Sequence, residues 1–167
     1  DDDFIEHIFV ASSHDDVLCF TDTGRVFRVK VYQIPEATRT SQGRAIINLL
    51  KLKDGENIVT FRAVQNFDNS DECLVFATSM GKVKRTAISE YQNVNRGGIH
   101  AIRLNEGDSL IDVIQTNGNT HILLATAQGK STRFDESDAR LMGRTAAGVR
   151  GISLAEGDKV IGAVLAE

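Results

Sequence analysis

Apolar and polar residues alternate with a period of two along much of the chain, and glycines break the pattern at short intervals. Phe27, Val29 and Val31 alternate with Arg28 and Lys30, which predicts a strand with one buried and one wet face. More uniformly apolar runs stand at Val17 to Phe20, Leu74 to Ala77 and Ile122 to Ala125. Further short strands are expected over Ile58 to Val64, Leu110 to Ile114 and Val160 to Val164. Between them fall Thr23-Gly24, Asp54-Gly55, Met80-Gly81, Glu106-Gly107, Asn117-Gly118, Gln128-Gly129 and Glu156-Gly157, where glycine supplies the positive φ of a tight turn. The single proline, Pro35, closes the strand ending at Tyr32 because it cannot donate to a ladder. No stretch of helical length keeps a 3.6-residue period. The pattern predicts about thirteen strands, with short helical turns near Ser89 to Gln92 and Glu136 to Ala139.

One unit recurs. Gly24-Arg25-Val26-Phe27-Arg28, Gly81-Lys82-Val83-Lys84-Arg85 and Gly129-Lys130-Ser131-Thr132-Arg133 share a turn glycine, a base one residue later and an arginine four residues later. Each follows an apolar run. Each precedes a second glycine in a basic loop: Arg39 to Gly43-Arg44, Arg96-Gly97-Gly98, and Arg144 to Gly148-Val149-Arg150. A second echo joins Ile102-Arg103-Leu104-Asn105-Glu106-Gly107-Asp108 to Ile152-Ser153-Leu154-Ala155-Glu156-Gly157-Asp158. A spacing near 50 residues marks repeated β-units such as propeller blades. The expected fold is all-β: an array of four-stranded blades, about three in number, with repeats over roughly 1–57, 58–107 and 108–167 and no linker between them.

Charge sharpens the picture. The net charge is −4, yet segments 24–44, 81–103 and 129–150 hold 15 of the 19 lysines and arginines and 5 of the 23 acids. Bases that recur in register on a repeated scaffold form a curved row, which suits an anionic polymer. Arg28, Arg85 and Arg133 are expected on one exposed face of consecutive blades. Each engaged base, Arg28 included, would add about 0.9 to the salt slope of binding to duplex DNA.

Other chemistry is poorly supported. Gln128-Gly129-Lys130-Ser131 lacks the earlier glycine of a phosphate-binding loop, where Leu124 stands. The acids near glycines lack calcium-loop spacing, and His7, His14, His100 and His121 lack metal spacing. Tyr32 and Tyr91 occupy near-equivalent places in two repeats, as packing residues do. Cys19 and Cys73 sit inside apolar runs and suit free buried thiols in a reducing cytosol. No signal peptide and no long apolar run is present, so secretion and membrane spanning are not expected. The chain opens Asp1-Asp2-Asp3 without an initiator methionine, as an excised fragment would. The arginines remain. Their planar forks pair with phosphate oxygens, and with no interleaved aromatics the pattern favours duplex backbone over single-stranded bases.

Val31-Tyr32-Gln33-Ile34-Pro35-Glu36-Ala37-Thr38-Arg39, followed by Gly43-Arg44-Ala45-Ile46-Ile47-Asn48-Leu49-Leu50, closely resembles the C-terminal domain of DNA gyrase A subunits. So do Asp3-Phe4-Ile5-Glu6, Gly148-Val149-Arg150-Gly151-Ile152 and Glu156-Gly157-Asp158-Lys159-Val160. The resemblance implies a β-pinwheel, in which propeller-like blades exchange strands and a basic rim wraps duplex DNA to support negative supercoiling. A full pinwheel has about six blades, so about three would be a fragment of one. The resemblance carries over the rim bases Arg25, Arg28, Lys30, Arg39, Arg44, Lys82, Lys84, Arg85, Arg96, Lys130, Arg133, Arg144 and Arg150. It implies no catalysis and no cofactor in this chain: the breaking tyrosine, the ATP site and the magnesium site lie in other domains of the enzyme. The implied partners are duplex DNA and the remaining parts of a gyrase heterotetramer, which joins the A-type and B-type subunits. The implied place is the cytoplasm at the nucleoid, with no membrane. The Q-R-R-G-G-[KR]-G motif by which gyrase completes its wrap is absent, and Asn95-Arg96-Gly97-Gly98 echoes part of it. Two alternatives stay open: the equivalent domain of topoisomerase IV, and a protein-interaction propeller with an acidic partner.

Overall fold

A computed structural model of the chain describes residues 16–30, 47–68, 71–95 and 97–166. Among the described residues eleven strands form three antiparallel sheets. The strands are β1 (Asp16–Thr21), β2 (Arg25–Lys30), β3 (Ile58–Val64), β4 (Cys73–Thr78), β5 (Lys82–Ala87), β6 (Ile99–His100), β7 (Leu110–Thr116), β8 (His121–Thr126), β9 (Ser131–Asp135), β10 (Val149–Arg150) and β11 (Val160–Ala166). The sheet orders are β3-β1-β2-β6, β10-β5-β4-β7 and β11-β8-β9. In each, a glycine-turned hairpin is followed by a strand that returns along its far side. The outermost strand of the first sheet, β6, follows the second sheet's hairpin in sequence, and β10 completes the second sheet from beyond the third hairpin. The repeats led one to expect the blades, and their joining by strand exchange is the all-β pinwheel that the resemblance implied.

All seven expected turn glycines have positive φ, between +77° and +101°. Gly98 and Gly148 do too, and each stands just before an exchanged strand. There the absent side chain also matters. A Cβ on Gly148 would lie 2.4 Å from the Val83 carbonyl oxygen, and one on Gly98 would lie 2.6 Å from the Phe27 ring. The expected helical turns are 3-10 turns at Ile88–Tyr91 and Glu136–Asp138.

The core lies between sheets. Leu18, Phe20 and Val26 of the first sheet pack with Leu74, Phe76, Tyr91 and Val113. The Phe20 and Phe76 rings meet edge to face, their centroids 5.6 Å apart. Val75, Ala77, Val83 and Ile114 on the other side of the second sheet pack with Ile122, Leu124, Val160 and Ala163. A sheet stacked on both sides has no wet face. This corrects the expectation for β2: Val26 shares a face with Arg28 and Lys30 and is fully buried. The two bases lie on that packed face and are half-buried there. Val31, Tyr32 and Pro35 lie outside the described residues. Tyr91 is buried and donates to the Ala101 carbonyl at 3.0 Å, a packing role, and burial raises its phenol pKa. Cys19 and Cys73 are buried free thiols, and burial raises both pKa values.

Candidate nucleic-acid interface

Strands β3, β7 and β11 approach one another across the sheets, so the exchanged strands β6 and β10 stand at the opposite, outer edge. The recurring bases sit on β2, on β5 and on β9 or, for Lys130, just before it, beside that edge. Three threonines set their backbone. The carbonyls of Thr21, Thr78 and Thr126 accept from the turn glycine three residues on, at 3.0, 3.0 and 3.1 Å. Their Oγ1 atoms accept from the amide of the following base, Arg25, Lys82 or Lys130, at 3.2, 3.0 and 3.0 Å. The Thr-x-x-Gly signal stands in each repeat, and the reading by turn glycines passed it over. Two acids that follow glycines hold these same turns: Asp108 accepts from the Met80 amide and Asp158 from the Gln128 amide, both at 3.0 Å.

In the first sheet the bases are matched to acids. Arg25 pairs with Glu56 at 2.8 Å, donates to the Gly97 carbonyl at 3.0 Å and lies over the Phe27 ring. Glu56 is buried, which opposes its ionisation. Hydrogen bonds from Thr23, the Lys53 amide and Thr21, with the charge of Arg25, nevertheless hold its carboxyl below the ordinary range. Arg28 and Lys30 share Asp16, each at 2.9 Å.

The second and third sheets differ. Lys82, Arg85, Lys130, Arg144 and Arg150 form no ion pair among the described residues. Lys130, Arg133 and Arg150 are exposed. Lys130 donates to the Ser153 carbonyl and Arg144 to that of His100. Arg39, Arg44 and Arg96 lie outside the described residues.

Arg28, Arg85 and Arg133 do occupy one position, opposite Leu18, Val75 and Leu123 of their hairpins. Their surroundings depart from the expected open face. Arg28 is half-buried, donates to the Gln92 carbonyl and lies over the Phe67 ring. Arg85, also half-buried, donates through Nε to the Ala139 carbonyl. Both carbonyls cap a 3-10 turn of the neighbouring blade, so both arginines bridge sheets. Lys84 departs further. It is fully buried, donates to the carbonyls of Ala101, at 2.6 Å, and Arg144, and lies over the Phe76 ring. Burial, with the nearby Arg144 charge, pushes its ammonium pKa down to about 7. Its place in the repeat belongs to Phe27 in the first unit and Thr132 in the third, and Phe27 there packs with Val17, Val29, Leu50 and Phe61. Arg103 is an exposed base that the repeats did not single out, because Ser153 stands at its place in the next copy.

The family model for the DNA gyrase C-terminal domain, a beta-propeller, matches residues 15–65, 74–117 and 120–167. The chain belongs to the DNA gyrase C-terminal domain family. It is 46% identical over all 167 residues to the DNA gyrase A subunit of Staphylococcus epidermidis, and 44% identical over 165 residues to that of Escherichia coli K12. It spans 19% of the length of each. Among solved structures it is similar to the C-terminal domain of DNA topoisomerase IV, with a TM-score of 0.84 and 29% identity, covering 93% of this chain and 48% of that one. A gyrase A C-terminal domain matches in fold, with a TM-score of 0.74 and 23% identity over 93% of this chain and 49% of that one. Among the described residues no helix is long and apolar enough to cross a membrane.

Proposed function

We propose that this chain binds duplex DNA without sequence preference along its outer edge and bends the duplex round it, as the wrapping part of a DNA gyrase. One observation carries the reading: bases recur beside the outer edge, and Lys82, Lys130, Arg144 and Arg150 form no ion pair among the described residues in a chain that is acidic overall. Such a strip draws in a polyanion. Lys82, Lys130, Arg133, Arg144 and Arg150 would make the phosphate contacts, with Arg39, Arg44 and Arg96 from the basic loops. Arg25, Arg28, Lys30, Lys84 and Arg85 would mainly hold the scaffold. In the whole enzyme the wrap would present a DNA crossing of chosen sign to strand passage, giving negative supercoils. Catalysis, ATP and magnesium would belong to the other domains of the gyrase heterotetramer, in the cytoplasm. The matched relatives named for gyrase, and the Tyr32 to Leu50 stretch, favour gyrase over topoisomerase IV.

The test measures affinity for mixed-sequence duplexes across a salt series. With six of these eight bases engaged at once, the slope is roughly −5 in log affinity against log salt, alike for all sequences. Salt-independent binding, or binding to an acidic protein and not to DNA, overturns the reading. Bending a short duplex costs about 1–6 kcal/mol for 40–90°. This chain covers about half of the topoisomerase IV domain it resembles. Added alone to relaxed circular DNA with a nicking-closing enzyme it should shift the linking number little, and the full-length protein clearly.

A further inference from the structure

Two bases from different repeats face each other at the outer edge. β10 pairs with β5 in a register that sets Arg150 directly opposite Lys82. Opposed residues share a face with Cβ atoms about 5 Å apart, and like charges so placed repel. Arg150 is exposed and Lys82 half-buried, and neither has an ion-pair partner among the described residues. The loop leading to β10 adds charge at the same junction. Arg144 reaches the His100 carbonyl, and the amide of exposed Arg103 donates to the Ala146 carbonyl at 3.3 Å. Glu90 is the carboxylate beside this loop, 3.8 Å from where a Gly143 side chain would begin, and it too lacks an ion pair among the described residues.

The first sheet shows what is missing. The same register there sets His100 opposite Arg25, and Glu56 neutralises Arg25 at 2.8 Å. In the second sheet the residue after the corresponding turn glycine, Asp108, faces the hairpin and accepts from the Met80 amide and the Ser79 hydroxyl. Nothing intramolecular among the described residues balances Lys82 and Arg150. A bridging anion would, and a lysine point charge beside an arginine fork suits phosphate oxygens.

We infer that Lys82 and Arg150 form a composite clamp for one backbone phosphate of duplex DNA, a site that exists only when β10 of the third repeat is docked on β5 of the second. This rests on the DNA-binding reading above and adds that strand exchange builds the contact. DNA and strand docking then stabilise each other, because a ligand favours the state that binds it.

The test uses the 167-residue chain with Lys82→Gln, Arg150→Gln and the double variant, titrated with a short mixed-sequence duplex at several salt concentrations. Each single variant should flatten the salt slope by less than one unit, and the double variant by about one, because one phosphate then loses its partners. The double should lose less affinity than the product of the single losses, because the two bases share one phosphate. DNA should slow hydrogen exchange at the Gly151 amide, which bonds the Gly81 carbonyl at the end of β10, in the wild type and not in the double variant. Without DNA at low salt, Arg150→Gln should unfold at the same temperature as the wild type or higher, since a repulsion is removed. Wild-type slope and affinity in the double variant overturn the clamp and leave DNA binding standing. So does a lowered unfolding temperature for Arg150→Gln, or Gly151 exchange that ignores bound DNA. Failure of the wild type to bind the duplex at low salt overturns the DNA reading itself and the clamp with it.

Discussion

Arg85 donates through Nε to the carbonyl oxygen of Ala139 at 2.7 Å, and so ties the second sheet to the third. Arg28 makes the equivalent bridge from the first sheet to Gln92. One sequence position thus serves as a blade-to-blade pin, used twice.

Arg85→Ala should destabilise the chain by about 1.5–3 kcal/mol, the range for a hydrogen bond involving a charged group. Urea unfolding measures it. Arg28→Ala should do the same while leaving the salt slope of DNA binding nearly unchanged, because Asp16 already balances this guanidinium. A slope flattened by a full unit with stability intact would place Arg28 on the DNA.

Lys84 predicts a pH dependence. Its folded pKa, about 7, lies below the ordinary lysine value of 10.5. The unfolded chain therefore binds the extra proton between those values, and stability rises with pH across that window, by at most about 1.4 kcal/mol per pH unit. The neutral amine keeps two N–H groups for the Ala101 and Arg144 carbonyls. In Lys84→Met the rise between pH 7 and 10 should disappear, as denaturant midpoints at each pH would show.

Gly148 and Gly55 share positive φ, at +93° and +78°, but differ in space. An added Cβ meets the Val83 carbonyl oxygen at 2.4 Å in one and nothing within 4 Å in the other. Gly55→Ala should cost about 1–2 kcal/mol from backbone strain alone. Gly148→Ala should cost more and should loosen β10 in particular, seen as faster hydrogen exchange at Gly151. Equal costs at the two sites would mean that close approach is unimportant there.

Glu56→Gln separates the two uses of arginine. Loss of the buried charge partner should destabilise the chain by about 3–5 kcal/mol. It should also release Arg25 toward solvent and steepen the salt slope of DNA binding by about one unit. The wild-type contribution is present above the ordinary glutamate pKa and is lost as pH falls through the lowered folded value, so the variant should show less loss of stability in acid. An unchanged slope in a folded variant would mean that Gly97 alone keeps Arg25 from DNA.

What is local in this protein could be read directly from its residues. A turn glycine with positive φ follows from its neighbours in the chain, and all seven expected turns formed. An apolar run such as Leu74 to Ala77 declares a buried strand, and the repeat of glycine, base and arginine declares equivalent places in successive blades. What depends on residues far apart emerged only with the fold. Ile99–His100 and Val149–Arg150 are too short to carry a period, so only pairing shows that they complete the preceding sheets. Nor does the local pattern distinguish Arg25, neutralised by a glutamate 31 residues away, from Lys82, which faces Arg150 across a strand boundary. Charge is a property of a residue, but whether that charge is available is a property of its surroundings, and those are assembled only when the blades stack.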